Sequence, residues 1–185
     1  MTRLRAFIAD ERGTATIEFV LIIPVVLLIF MASMESSLFM ARSVMLERSV
    51  DIVVRDIRLG SLSGLTHAQL KRRICETSAL VYSIDTCVDA MRIWMQPINT
   101  ADFAMVAPPR SCVDRSEPID PLQEPTGDEF KFGVDNDIML MRICLKEEPM
   151  FPTTVIGASL IADETDGNYA LLTTSVFVNE PGSGS

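Results

Sequence analysis

Residues 19–34 read FVLIIPVVLLIFMASM and carry no charge. As a helix rising about 1.5 Å per residue, the run covers roughly 24 Å, against a bilayer hydrocarbon core of about 30 Å. Continuing past Glu35 through Ser36, Ser37, Leu38, Phe39, Met40 and Ala41 supplies the missing length. The run is therefore read as a transmembrane helix over residues 14–41, with Glu18 and Glu35 inside it or at its edges. A secretory signal peptide would place a small-residue cleavage site after its apolar core. Ala32-Ser33-Met34 is a poor site of that kind, and the sequence continues there as helix.

The span accounts for the composition. The chain of 185 residues is 48% apolar, with a mean hydropathy of +0.28, and the excess lies in its first quarter. The remainder has the composition of an ordinary globular domain. A formal net charge of −9 repels phosphate backbones and anionic surfaces and argues against nucleic-acid binding. Arg3, Arg5 and Arg12 precede the span, and no further Arg or Lys occurs until Arg42. That asymmetry predicts a cytoplasmic N-terminus in a bacterial inner membrane, with the C-terminal domain periplasmic. Four cysteines, Cys75, Cys87, Cys112 and Cys144, include no C-x-x-C pair. In an exported domain an even number reads as two disulfides, with free core thiols and a metal site as the alternatives. Of three possible pairings the favoured one joins Cys75 to Cys87 and Cys112 to Cys144.

The order of residues leading into the span is more specific: Glu11-Arg12-Gly13-Thr14-Ala15-Thr16-Ile17-Glu18-Phe19. A glycine, a glutamate five residues later, an aromatic and a long apolar run resemble the processing site of type IVb prepilins. The resemblance implies that a prepilin peptidase cuts after Gly13, leaving Thr14 as the new N-terminus and Glu18 as the fifth residue. A glycine has no Cβ to obstruct a protease at the membrane face. A carboxylate near a bilayer is costly unless it has a partner. For Glu18 the resemblance implies the freed Thr14 amine of an assembling bundle; the plainer alternative is a residue favoured by the helix dipole.

Within that superfamily the chain is most similar to TadE-like pseudopilins of the tight-adherence (Flp pilus) system. RGTATIEFVLIIPVVLLIF, an in-membrane Glu35, helix continuing to Arg55 and a last strand ending Val178-Asn179-Glu180-Pro181 carry the likeness. It does not separate TadE-type from TadF-type members. It implies a minor pseudopilin needed for pilus assembly or secretion and hence adherence. The implied partners are the prepilin peptidase, other pilins and pseudopilins, the tight-adherence machinery and the inner membrane. The alternative is an uncleaved single-pass envelope protein with a binding or scaffolding role.

Beyond the span, Phe39, Leu46, Val50, Val53 and Ile57 make one apolar stripe, with Arg42, Glu47, Arg48, Asp51 and Asp56 on the other faces. Arg55, Arg58 and Gly60 predict a stop near residue 59. Thr66 and Gln69 have capping-box spacing, so a second helix is expected from there to about Val81. His67, in its first turn, is read as a surface residue. Strands are expected at about Val88–Gln96, Ile138–Lys146 and Tyr169–Asn179, with the second central. The fold class is α+β: a long N-terminal helix on a small antiparallel sheet, pilin-like. The expected organisation is a leader over 1–13, the span over 14–41, an outer domain over 42–181 and a flexible tail over 182–185.

No G-x-S-x-G, Gly-rich phosphate loop or H-E-x-x-H occurs, so the chain is not read as an enzyme, and no cofactor or metal is expected. Asp163-Glu164-Thr165-Asp166-Gly167 and Asp135-Asn136-Asp137 read as solvated turns, with calcium as the lesser alternative.

Overall fold

A computed structural model describes residues 14–62, 64–78, 83–101, 112, 130–161 and 167–180. The chain is α+β: a 45-residue helix, α1 (Thr14–Arg58), carries a head made of three shorter helices and a three-stranded antiparallel sheet. The shorter helices are α2 (His67–Thr77), α3 (Ile84–Ala90) and α4 (Val155–Leu160). The strands are β1 (Met91–Ile98), β2 (Ile138–Glu147) and β3 (Tyr169–Val178).

The upper half of α1 is the spine of the head. Leu46, Val50, Val53 and Ile57 are buried against Leu70 and Ile74 of α2 and the inner face of the sheet. Burying each such side chain contributes about 1.5–3 kcal/mol. Phe39, lower on the same stripe, is partly buried and meets Tyr169 edge-on at 5.4 Å between ring centroids. The helix stops where the sequence predicts. Gly60 takes φ +72°, and its N–H donates to the Ile57 carbonyl at 2.9 Å. A left-handed residue just past the last turn favours glycine.

β2 is the central strand, paired antiparallel with β1 (Met91 opposite Leu145) and with β3 (Glu147 opposite Tyr169). Its inward row, Met139, Met141, Ile143 and Leu145, faces α1 together with Met91, Ile93 and Met95 of β1. Met95 lies directly across from Met141. Unbranched thioethers fill the irregular space between a helix and a twisted sheet. Pro97 sits in β1, an edge strand, where a missing N–H is tolerated.

Three local expectations need correction. The second helix ends at Thr77 and not near Val81, with Ser78 already extended at ψ 118°. Val88, Asp89 and Ala90 belong to α3, so the first strand begins at Met91. Asp85 in the first turn suits the helix dipole, and Cys87 and Ala90 fall on its buried side. His67 is not a surface residue. Its ring is partly buried, Nε2 donates to the Ile93 carbonyl at 3.2 Å, and Phe130 meets it edge-on. The Thr66 capping box is present: Gln69 N–H donates to Thr66 Oγ1, and Thr66 N–H to Gln69 Oε1.

Candidate membrane and assembly segment

The lower half of α1 touches almost nothing. From Ile17 to Phe30 its large apolar side chains other than Ile23 are half or more exposed, including Phe19 at 63% and Leu21 at 69%. Among the described residues this is one helix long and apolar enough to cross a membrane. Pro24 lies inside it; a proline removes one backbone bond of the ladder. Ser33 and Ser37 return their hydroxyls to the Phe30 and Ser33 carbonyls, so these polar groups are satisfied within the helix.

Of the residues singled out in the sequence, Gly13 lies outside the described residues. Thr14 opens α1, Glu18 is the fifth residue of that helix and is exposed, and Phe19 follows it. These positions share the bare end of the rod, far from the head.

The bare stretch is interrupted at Glu35, inside the expected span over 14–41. Glu35 is fully buried, and its Oε2 accepts the Phe151 backbone N–H at 2.8 Å. Its other oxygen is buried and has no partner among the described residues. Two turns further along, Arg42, expected off the apolar stripe, reaches the head, donating to the Tyr169 hydroxyl at 2.6 Å and to the Glu148 carbonyl at 2.9 Å. Glu147 stands 3.7 Å away. Burial alone would weaken the protonated guanidinium, but Tyr169, Glu147 and Glu35 together raise its pKa. Burial likewise raises the Tyr169 phenol, against the opposing pull of Arg42.

Sequence reasoning found Glu35 and missed what it does. The signal was present. Glu35, Phe39, Arg42 and Leu46 step by four, three and four, so the core stripe begins at Glu35 and not at Phe39. The Phe151 N–H was beyond reach because it is distant in sequence and depends on the tertiary fold.

Cys75 is joined to Cys87, Cα to Cα 6.0 Å, linking the end of α2 to α3 and not to a strand. Cys112 is joined to Cys144 of β2, Cα to Cα 5.5 Å. Asp135, Asn136 and Asp137 form a turn: Asn136 takes φ +67°, and Asp137 Oδ2 accepts the Val134 N–H. Residues 163–166 of the other acidic run lie outside the described residues. Among the described residues no group of three or more His, Cys, Asp or Glu is placed to hold a metal ion.

The family model of TadE-like proteins matches residues 13–55. Over that segment the chain is TadE-like. The TadE-like match starts at Gly13, takes in the bare rod, Glu35 and Arg42, and ends within the buried stripe. No curated protein and no solved structure matches the chain.

Proposed function

We propose that the protein is a minor pseudopilin of the tight-adherence pilus system, cut after Gly13 by a prepilin peptidase and needed for pilus assembly or secretion. One observation carries the reading: α1 is a continuous helix whose first half is bare and apolar while its second half is the core of a folded head. That division suits a subunit that waits in a membrane and then exchanges lipid for the helices of other pilins. The TadE-like match over residues 13–55 supports it.

In this reading the leader over 1–13 stays cytoplasmic, and the head lies in the periplasm, where cysteine pairs oxidise. Cleavage creates an ammonium at Thr14, one turn from Glu18. A carboxylate held in an apolar bundle is stabilised by an opposite charge in reach, so Glu18 takes a freed amine of the growing assembly as its partner. Phe19 and the residues after it supply apolar surface to neighbouring subunits.

The test is the N-terminus of protein extracted from membranes that contain the peptidase. Thr14 is the expected first residue, and Gly13→Leu keeps the precursor uncut because a branched side chain obstructs the scissile bond. Wild-type protein that retains Met1 or Thr2 contradicts the pseudopilin reading and leaves an uncleaved single-pass scaffold. Glu18→Ala is expected to be cut normally and to fail in piliation.

A further inference from the structure

Pro149 to Ile161 reads PMFPTTVIGASLI, without a charged residue in a chain that is 22% charged. The stretch is fastened to α1 at one level. Phe151 donates its N–H to Glu35, and Thr154 Oγ1 caps α4 by accepting the Gly157 N–H at 3.1 Å. α4 lies against α1. The absent side chain of Gly157 lets α4 approach the Phe151 carbonyl, which a Cβ would meet at 2.2 Å. The stretch thus forms a collar where the bare rod ends. Its apolar groups are not all turned inward: Met150 is 56% exposed and Val155 86%, the most exposed of the large apolar side chains described.

The two ends of the head differ. Glu147, Glu148 and Arg42 border the collar at Pro149 and Met150, Arg42 about 10 Å along α1 from Glu35 by helical rise. At the other end are Asp135, Asp137, Arg58 and Glu180, the last two 3.4 Å apart. From Ile17 to Met34 the bare rod measures about 27 Å, close to a hydrocarbon core of about 30 Å. The residues just past Met34 then meet the boundary between acyl chains and headgroups, where surface-lying apolar segments bury some 5–10 Å.

We infer that the collar Pro149–Ile161 is a second lipid contact, seated in the outer interface of the bilayer beside the span, with Met150 and Val155 as its anchors. Its occupant is phospholipid, because Met150 and Val155 are exposed on a stretch that has no charged residue of its own and is fastened to α1 at Glu35, where the bare rod ends. The collar fixes the depth and tilt of the head before assembly. The inference rests on the membrane reading of α1.

The experiment uses the full chain in phosphatidylcholine vesicles, with dansylalanine in turn at Val155, at Leu27 in the rod, and at Val134. Val134 is 71% exposed beside Asn179 at the far end of the head. An environment-sensitive amino acid leaves the four cysteines untouched. A nitroxide near the lipid headgroup is expected to quench the fluorophore at 155 more than one deep in the acyl chain. At 27 the order reverses, and at 134 neither quenches. Quenching at 27 without quenching at 155 overturns the collar and leaves the span. Quenching at neither position overturns the membrane reading of α1 as well. Protection at 155 that appears only at high protein-to-lipid ratio assigns the surface to a second copy and overturns the lipid assignment. As a second variant, Val155→Asp, at an exposed position compatible with folding, is expected to shift emission from a fluorophore at Met150 to longer wavelength. An unchanged spectrum there overturns the collar.

Discussion

The two halves of α1 belong to one unbroken helix and meet opposite fates. Between Ile17 and Phe30 nearly all the large apolar side chains are exposed, whichever way they point; between Leu46 and Ile57 the stripe of Leu46, Val50, Val53 and Ile57 is buried. A helix that is apolar all round has no polar face to turn toward water and needs a uniform apolar surround. A helix apolar on one face needs only one packing partner, here the sheet and α2. Intrinsic propensity does not separate the halves. The angular distribution of charge does, and the changeover falls at Glu35, the point at which the head takes hold.

The largest effect expected from breaking this contrast is in the stripe. Leu46→Ala leaves a cavity among Val50, Ile74 and the sheet and is expected to cost the head about 2–5 kcal/mol. Leu27→Ala removes the same methyl groups from the bare half and is expected to change head stability by less than about 0.5 kcal/mol. Urea unfolding of both variants in one detergent, followed through the buried Trp94, makes the comparison. Equal losses would mean that the lower half also supports the head.

A smaller effect is expected at the boundary. Gly157→Ala puts a methyl group 2.2 Å from the Phe151 carbonyl, and because the obstacle is backbone the loop must move. Overpacking of this kind costs about 1–3 kcal/mol. The displaced loop would draw the Phe151 N–H away from Glu35. Faster hydrogen exchange at Phe151, with the β1–β2 amides unchanged, is the expected result and would place the effect at the junction and not in the core.

How much of this was legible in the sequence depends on the range of the interaction. Gly60, the Thr66–Gln69 box and the Leu46–Ile57 stripe are local patterns, each read from residues within a turn or two. The central place of β2 followed from its near-continuous apolar run. α3 was hidden because Val88-Asp89-Ala90 alternates apolar and polar as the start of a strand would, and the short helix is joined through Cys87 to α2. α4 was hidden because Gly157 reads as a breaker, and its value is a close approach visible only once Phe151 is in position. Glu35 was legible as an oddity in an apolar helix, but the group that holds it is 116 residues away. For the assembly motif, Gly13 and Glu18 were read by likeness, and their roles await the cleavage and piliation tests.

The smallest expected effect lies in the head, at His67, and sharpens the contrast from the polar side. The ring is partly buried, and its Nε2–H donates to the Ile93 carbonyl, so the neutral form fits the site. Burial, then the nearby positive charge of Lys71, with Arg92 adding to them, pushes its pKa from 6.5 down to about 4, while the Ile93 carbonyl opposes the shift. Between those values the unfolded chain binds more protons at this site than the folded one. Stability from His67 is therefore complete above pH 6.5 and is lost as the pH falls toward 4. With solvent reaching part of the ring, the loss is on the order of 1 kcal/mol. His67→Gln retains an N–H for Ile93 and does not titrate. The difference in urea midpoint between the two proteins should therefore vary between pH 6.5 and 4 and be constant above that range. A difference that ignores pH would mean that the ring is neutral or charged alike in both states. Leu27→Ala adds and removes no titratable group, so it should follow the parent protein at every pH.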